Sequence, residues 1–290
     1  VQGDWSSDVC SSDLSPTHAR GSLDRNLGRM IIEQKVNMVD SYPSLARLKR
    51  QIEALGPAPD DAHRARVSLG LDTLDARLGG GLACGAVHEV LPQQPDDAAS
   101  ATAFALMLAA RAAAAQGMIL WIATDAQLRR CGQPYGPGLK SLGLDPDQLI
   151  LVTAPDDLTC LKAASDSLAC AGLAAVIIDV GQTKRLDLTA SRRLALAAER
   201  SGVTALLLRP RESAIASAAA SRWQVAAAPS VHLPGHAPGH PMLSLSLVRH
   251  RGGARPFDMM VEWNNDDRAF CEPALLRGVS TPVERRQLAA

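Results

Sequence analysis

The chain has 290 residues, of which 47% are hydrophobic and 21% are charged, a composition typical of a globular protein. Thirty basic and thirty acidic residues give a formal net charge of zero, so no global field draws the protein to DNA or to an anionic membrane. The longest apolar run, residues 105–115, is too short for a membrane span and is interrupted by Arg111.

The first residues carry little folding information. Residues 1–14 repeat Ser-Ser-Asp, have no apolar periodicity and lack a signal-peptide core. We therefore expect residues 1–29 to be a non-native or disordered leader, with the native start at Met30 or Met38. Residues 30–56 form the next segment, and residues 57–290 the core domain.

The segment 30–56 contains an amphipathic helix at residues 44–55. Leu45, Leu48 and Ile52 lie on one face of this helix, and charged residues lie on the other. The pair Gly56-Pro57 then breaks the helix. The apolar stripe either packs on its own domain or docks on a neighbouring protein, and the sequence leaves both interpretations open.

The core domain alternates apolar strands with helices. Strands are predicted at residues 86–91, 118–123, 149–152, 174–180 and 204–208, and helices at 97–115, 157–171 and 189–201. A short helix or turn is predicted at 217–225, and an antiparallel hairpin from 243–248 and 257–263. This pattern predicts an α/β fold with a mainly parallel central sheet that is covered on both faces.

A phosphate-binding loop is missing where this fold would carry one. Between Gly85 and Gly117 there is neither a glycine nor a lysine, whereas a Walker loop needs glycine N–H groups to wrap the phosphates and a lysine to neutralise them. Asp96 and Asp97 can cap the following helix and would repel a phosphate. The sequence predicts that the nucleotide site is filled in and that the protein has no cofactor.

Metal and catalytic motifs are also missing. The six cysteines form no C-x-x-C pair and have no zinc-like spacing with histidine, which indicates reduced thiols in a cytoplasmic protein. His232, His236 and His240 recur at four-residue spacing, but the prolines and glycines among them forbid a helix. No usable Ser-His-Asp order or catalytic carboxylate pair is present, so we expect no enzymatic activity.

Several separated stretches resemble the RecA core, and a subset of them narrows the family. The most specific stretches are Gln133-Pro134-Tyr135-Gly136-Pro137-Gly138-Leu139, residues 186–194, Arg222-Trp223 and residues 248–253. This set resembles the ImuA family, the RecA-like, sometimes SulA-like, proteins of bacterial damage-inducible mutagenesis cassettes. The resemblance implies a RecA-like core with a degenerate loop and a role in SOS-induced translesion synthesis beside ImuB, an error-prone DNA polymerase and RecA.

The resemblance also suggests site residues. Asp179 ends a β-branched strand at the position of the Walker B carboxylate, where it is either a surviving Mg²⁺ ligand or a vestigial strand-end acid. Arg249 and Arg251 match a basic pair that reaches across the RecA protomer interface. Here they either hold an acidic partner residue or form a solvated charge pair on an edge strand.

Arginines near the second DNA-binding loop of RecA are candidate contacts to single-stranded DNA. They are Arg209, Arg211 and Arg222, with Trp223 as the accompanying aromatic. Because no other aromatic residue is present there, structural packing of Trp223 is the alternative, and any DNA contact would be weak or indirect. Two other functions stay open for the whole protein: an ATP-dependent recombinase and a SulA-like inhibitor of cell division.

Overall fold

The computed structural model describes residues 64–113, 117–181, 185–210, 216–232, 237 and 239–273. All of these belong to one compact unit, Leu55–Ala290. The predicted leader, residues 1–29, and the predicted helix of segment 30–56 lie outside the described residues. Within the described residues, every helix is too short or too polar to traverse a lipid bilayer.

The strands and helices alternate through most of the unit. The strands are β1 (Arg66–Val67), β2 (Leu82–Ala83), β3 (Val87–Pro92), β4 (Met118–Thr124), β5 (Leu149–Ala154), β6 (Leu173–Asp179), β7 (Thr204–Leu208), β8 (Ser221–Ala228), β9 (Met242–His250), β10 (Phe257–Asn264) and β11 (Ala269–Cys271). The helices are α1 (Asp72–Arg77), α2 (Ala98–Ala113), α3 (Asp125–Cys131), α4 (Gly136–Ser141), α5 (Asp157–Leu168) and α6 (Leu188–Ser201). Short 3₁₀ turns, Pro95–Asp97 and Pro146–Gln148, precede α2 and β5.

A nine-stranded sheet with the order β11-β10-β9-β8-β3-β7-β6-β4-β5 forms the centre of the unit, beside a two-stranded sheet of β1 and β2. The strands from β5 to β8 in this order run parallel to one another. β9, β10 and β11 add to the edge as an antiparallel meander. The prediction of an α/β fold with a large, mainly parallel sheet and a C-terminal hairpin is confirmed.

Alternating side chains divide the core into two layers. In β4, Ile119, Trp121 and Ala123 join the layer that contains Phe104 of α2. The intervening Leu120 and Ile122 join the opposite layer with α5 and α6. Because both faces of these parallel strands are covered, their sequences are almost continuously apolar.

The helix ends follow the expected chemistry. The side chains of Asp156 and Asp187 accept hydrogen bonds from the backbone N–H groups of Thr159 and Ala190, which caps α5 and α6 at 2.8 Å each. Gly202 ends α6 in the left-handed conformation (φ 80°), as predicted from the sequence.

The prediction of a short helix or turn at residues 217–225 is wrong, because residues from Ser221 onwards form β8. Ser221, Trp223 and Val225 are buried, whereas Arg222 and Gln224 between them are half-buried. This period of two is the pattern of a strand with one covered face. The alanines on both sides of this stretch obscure that pattern in the sequence.

A buried histidine joins β3 to its neighbours. His88 is 1% exposed, and its Nε2 donates to the carbonyl oxygen of Ala83 (2.9 Å). Its Nδ1 accepts from the Ser221 hydroxyl (2.7 Å), and that hydroxyl oxygen accepts from Nε1 of Trp223 (2.8 Å). The neutral imidazole protonated on Nε2 satisfies both ring nitrogens, and desolvation lowers the pKa of His88 to about 4.

We predict that His88 makes the fold sensitive to mild acid. The unfolded histidine takes up a proton near pH 6.5, whereas the folded one stays neutral down to about pH 4. The contribution of His88 to the free energy of unfolding is therefore complete above pH 6.5. It falls by about 3 kcal/mol in total as the pH is lowered towards 4. Urea unfolding should show the stability gap between the parent and His88→Gln narrowing by that amount from pH 7 to 4. A gap that does not change with pH would contradict this assignment.

Candidate functional site

The carboxyl ends of β3, β4, β6 and β7 meet at one edge of the sheet and border a cavity of about 940 Å³. This edge is where open α/β sheets place their ligands, since the loops that leave the parallel strands diverge there. The cavity wall includes the first half of α2, residues of α3 and α4, the end of β6 and the residues just after β7.

The segment between β3 and α2 is fastened by Asp97. One carboxylate oxygen of Asp97 accepts from the backbone N–H of Gln94 (2.9 Å), and the other accepts from the N–H of Ala227 in β8 (3.0 Å). The N–H of Gln93 also donates to the carbonyl oxygen of Val225 (2.8 Å). A carboxylate thus stands where the helix dipole would otherwise favour an external anion.

The space beside this segment is open, in contrast to the sequence expectation of a filled site. Pro92, Pro95 and Asp96 line the cavity together with Ala98 and Thr102 of α2. The Thr102 hydroxyl donates to the carbonyl oxygen of Ala98 within the helix (3.0 Å), so its proton is already used. The residues that replace a phosphate loop border the cavity without occupying it.

Asp179 lies at the end of β6, lines the cavity and is 5% exposed. Desolvation raises the pKa of its carboxyl to about 6, against the opposing effects of hydrogen bonds from the Gln127 side chain and the Gly181 N–H and of the Arg130 charge. No salt bridge to Asp179 is formed within the described part of the chain. The site thus holds a buried acid without a close counter-ion, a pattern common at functional sites.

A metal centre is not formed by the described residues. They contain no cluster of three or more His, Cys, Asp or Glu side chains that could bind a metal ion. The carboxylates that line the cavity are Asp179, at the end of β6, and Asp96, which follows β3; β7 lies between these two strands in the sheet. The described cysteines, Cys84, Cys131, Cys160, Cys170 and Cys271, are all free thiols.

The most buried charge network was missed by the sequence analysis. Glu89, in the middle of β3, is 0% exposed. It accepts from Nη1 of Arg209 (2.8 Å) and from Nε of Arg222 (2.6 Å). Nη2 of Arg209 also donates to the carbonyl oxygen of Leu186 (3.3 Å). A lone glutamate inside an apolar strand was the available signal, since a buried carboxylate requires a cationic partner.

The candidate DNA residues are placed as follows. Arg209 is 5% exposed and is held by Glu89, which also binds Arg222. Trp223 is completely buried and packs edge-on against Phe104 and Phe257. Its ring therefore has no free face on which a base could stack. Arg211 lies outside the described residues.

The two arginines assigned to partner binding differ in their surroundings. Nη2 of Arg249 donates to the carbonyl oxygens of Ser217 (3.2 Å) and Ala219 (2.9 Å) and to the Ser217 hydroxyl (3.2 Å). Arg251 follows the last residue of β9 and has an exposed side chain, while its backbone N–H donates to the carbonyl oxygen of Ala220 (2.7 Å). Arg249 thus anchors the entry to β8, and Arg251 faces solvent. Leu45, Leu48 and Ile52 lie outside the described residues.

The fold and this edge of the sheet define an α/β protein whose large, mostly parallel sheet is compatible with a RecA-like core. No family model matches the chain. Two proteins from two strains of Caulobacter vibrioides, both named Protein ImuA, are each 33% identical to this chain over 202 residues. The match covers 64% of this chain and 79% of each relative. The chain belongs to the ImuA family, as its motifs predicted.

We predict that Asp179 lowers the stability of the protein at neutral pH. Its folded pKa of about 6 lies above the ordinary value of 3.8, so the folded state loses stability as the pH rises from about 4 to about 6. Asp179→Asn should therefore raise the free energy of unfolding by up to about 3 kcal/mol at pH 8, and by much less at pH 4.

Urea unfolding at both pH values measures this effect. Asp166→Asn, which changes an exposed aspartate of α5, is the matched control and should leave the stability nearly unchanged. A loss of stability in Asp179→Asn at pH 8 would show that the carboxylate is needed by the fold itself.

Proposed function

We propose that the protein is a non-enzymatic accessory factor of SOS-induced translesion DNA synthesis and mutagenesis in the cytoplasm. It acts by contacting an ImuB-type polymerase-like protein, an error-prone DNA polymerase, RecA or a combination of these. The proposal rests on membership of the ImuA family together with one observation. The β3–α2 connection, which would cradle a nucleotide in an active ATPase, is instead fastened to β8 by the carboxylate of Asp97.

The chemistry of this connection argues against nucleotide binding. A triphosphate needs free N–H groups at the helix start and a cation beside them. The segment from Pro92 to Thr102 contains neither glycine nor lysine, and it adds the charges of Asp96 and Asp97. Each unit of like charge at ~4 Å costs roughly 4 kcal/mol at an effective dielectric near 20. ATP, the ligand that a RecA-like fold implies, does not fit the residues present.

The alternative of an ATP-dependent recombinase would need Asp179 to hold Mg²⁺ near the phosphates. A buried carboxylate with a raised pKa and no second acidic ligand is poorly suited to that role. Direct DNA binding through Trp223 and Arg209 is equally disfavoured, because one is buried and the other is held by Glu89. We therefore infer that DNA is reached through partners.

Two surfaces remain for partner contacts. Arg251 is exposed just after the end of β9 and can pair with an acidic group on another protein. The stripe of Leu45, Leu48 and Ile52 is the second surface and is proposed from its sequence pattern alone. Arg249 contributes indirectly, since it holds the backbone from Ser217 to Ala219.

We predict that the protein does not bind ATP with micromolar affinity and does not hydrolyse it. Isothermal titration with ATP and Mg²⁺ should give no saturable heat. The matched control is Asp179→Ala, which should give the same flat trace. A clear binding isotherm in the parent that disappears in Asp179→Ala would instead support an active nucleotide site and overturn the non-enzymatic assignment.

We also predict that Arg251 contributes to partner affinity. Charge reversal of a desolvated ion pair costs roughly 2–5 kcal/mol of binding. Reversal of a solvated charge costs almost nothing. Arg251→Glu should therefore weaken binding to the ImuB-type protein or to RecA, measured by titration of purified proteins.

Arg193→Glu, an exposed charge reversal on α6, is the matched control for the change in net charge. Arg249→Glu is unsuitable for this comparison because it would also remove the hydrogen bonds to the carbonyl oxygens of Ser217 and Ala219. Leu48→Asp tests the apolar stripe in the same assay. Unchanged affinity of Arg251→Glu and Leu48→Asp for every partner would place the interface elsewhere.

A further inference from the structure

The cavity at the carboxyl edge of the sheet is bordered by two buried polar side chains, and one of them has no hydrogen-bond partner among the described residues. Asp179 is 5% exposed; it accepts hydrogen bonds from the Gln127 side chain and the Gly181 N–H but forms no salt bridge with the described residues. Trp121 is 6% exposed, and its indole Nε1 has no hydrogen-bond partner among them. Buried polar groups in native proteins are nearly always paired, so an unpaired one indicates a missing partner.

The other two tryptophans of the described core have paired indole N–H groups, so the unpaired N–H is particular to Trp121. Nε1 of Trp223 donates to the Ser221 hydroxyl (2.8 Å), and Nε1 of Trp263 donates to the carbonyl oxygen of Leu142 (3.1 Å). Trp121 lines the cavity, whereas Trp223 and Trp263 do not. The unsatisfied indole is thus the one that borders open space.

The strand register places Trp121 and Asp179 on the same wall. Trp121 is paired with Ile177 on the adjacent parallel strand, and Ala123 is paired with Asp179. Because side chains alternate along a strand, Trp121 and Asp179 point to the same face, one strand apart and two residues offset. The strand spacings put their Cα atoms roughly 8 Å apart, so a small molecule can contact both.

The rest of the wall is mostly apolar, and its charges balance. Leu106, Leu128, Leu139 and Leu142 supply hydrocarbon surface beside Trp121. Asp96 and Asp179 are offset by Arg130 and by the cluster of Glu89, Arg209 and Arg222, which carries one net positive charge. A wall of this kind provides no net field for a strongly charged ligand, and its volume of about 940 Å³ is within the range of small-molecule sites.

We propose that this cavity binds a small uncharged molecule that has an amide-type edge on an apolar ring. An N–H of the amide donates to the Asp179 carboxylate, and the adjacent carbonyl oxygen accepts from Nε1 of Trp121. The ring packs against the leucines of the wall. Because Nε1 is closed off from solvent, binding includes a small rotation that turns the edge of the indole towards the cavity.

Three probes of equal size and different charge test this inference at pH 8. Benzamide carries the amide edge, benzoate is the matched anion and benzamidine is the matched cation. In spectra of protein with ¹⁵N-labelled tryptophan, benzamide should move the Trp121 indole N–H signal saturably, with millimolar affinity. Benzoate and benzamidine should bind more weakly than benzamide. The signal is assigned by its loss in Trp121→Phe.

Variants separate the two polar contacts. Trp121→Phe should weaken benzamide binding roughly fivefold, as expected for one neutral hydrogen bond. Asp179→Leu should weaken it at least about tenfold, because the acceptor is charged. Asp166→Leu is the control and should bind like the parent. Ligand-observed spectra measure the affinity in the variants.

Three outcomes would overturn the proposal. Tighter binding of benzamidine than of benzamide would make the cavity a cation site. Equal binding of all three probes, or binding that Asp179→Leu and Trp121→Phe leave unchanged, would show that only apolar contact is involved. No movement of the Trp121 signal up to the solubility limit of benzamide would show that the cavity does not take this ligand class. None of these results bears on partner binding, so this proposal and the proposed function can fail independently.

Discussion

The arrangement of the central strands depends on Glu89, a fully buried carboxylate that binds two arginines. β3 lies between β7 and β8, and the two arginines come from those neighbours, Arg209 just after β7 and Arg222 within β8. Removing three charges from water is costly, and only close pairing offsets that cost. Any shift in strand order or register would separate the charges, so the network selects one arrangement rather than adding much net stability.

The same network orders the surrounding segments. Arg209 also holds the carbonyl oxygen of Leu186 at the approach to α6, and Arg249 on β9 holds the residues that lead into β8. The register of β8 and β9 shifts between Arg222 and Trp223, which allows Arg222 and Arg249 to lie opposite each other while Trp223 stays in the core. Basic residues that look like binding groups in the sequence are therefore partly used to hold loops in place.

The sequence was sufficient for features that depend on local pattern. The apolar strands, the helices between them and Gly202 after α6 all follow from periodicity and end signals within short windows, and the resemblance of separated motifs gave the family. β8 was missed because alanines hide its period of two. Glu89 was missed for a different reason: its partners are 120 and 133 residues away in the chain, and only the folded sheet brings them together. The cavity could not be predicted either, because it arises from the way α2, α3 and α4 leave the ends of different strands.

Asp97 fastens the start of α2 to β8 through a group that belongs to the chain itself. In nucleotide-driven proteins, the terminal phosphate holds nearby segments in one conformation, and its hydrolysis releases them. The Asp97 carboxylate is part of the chain, so it cannot dissociate from the protein as a phosphate can. For the proposed accessory factor, the lifetime of each complex would then be set by the dissociation rate of its partners and by the cellular supply of the protein. Nucleotide hydrolysis would not limit it.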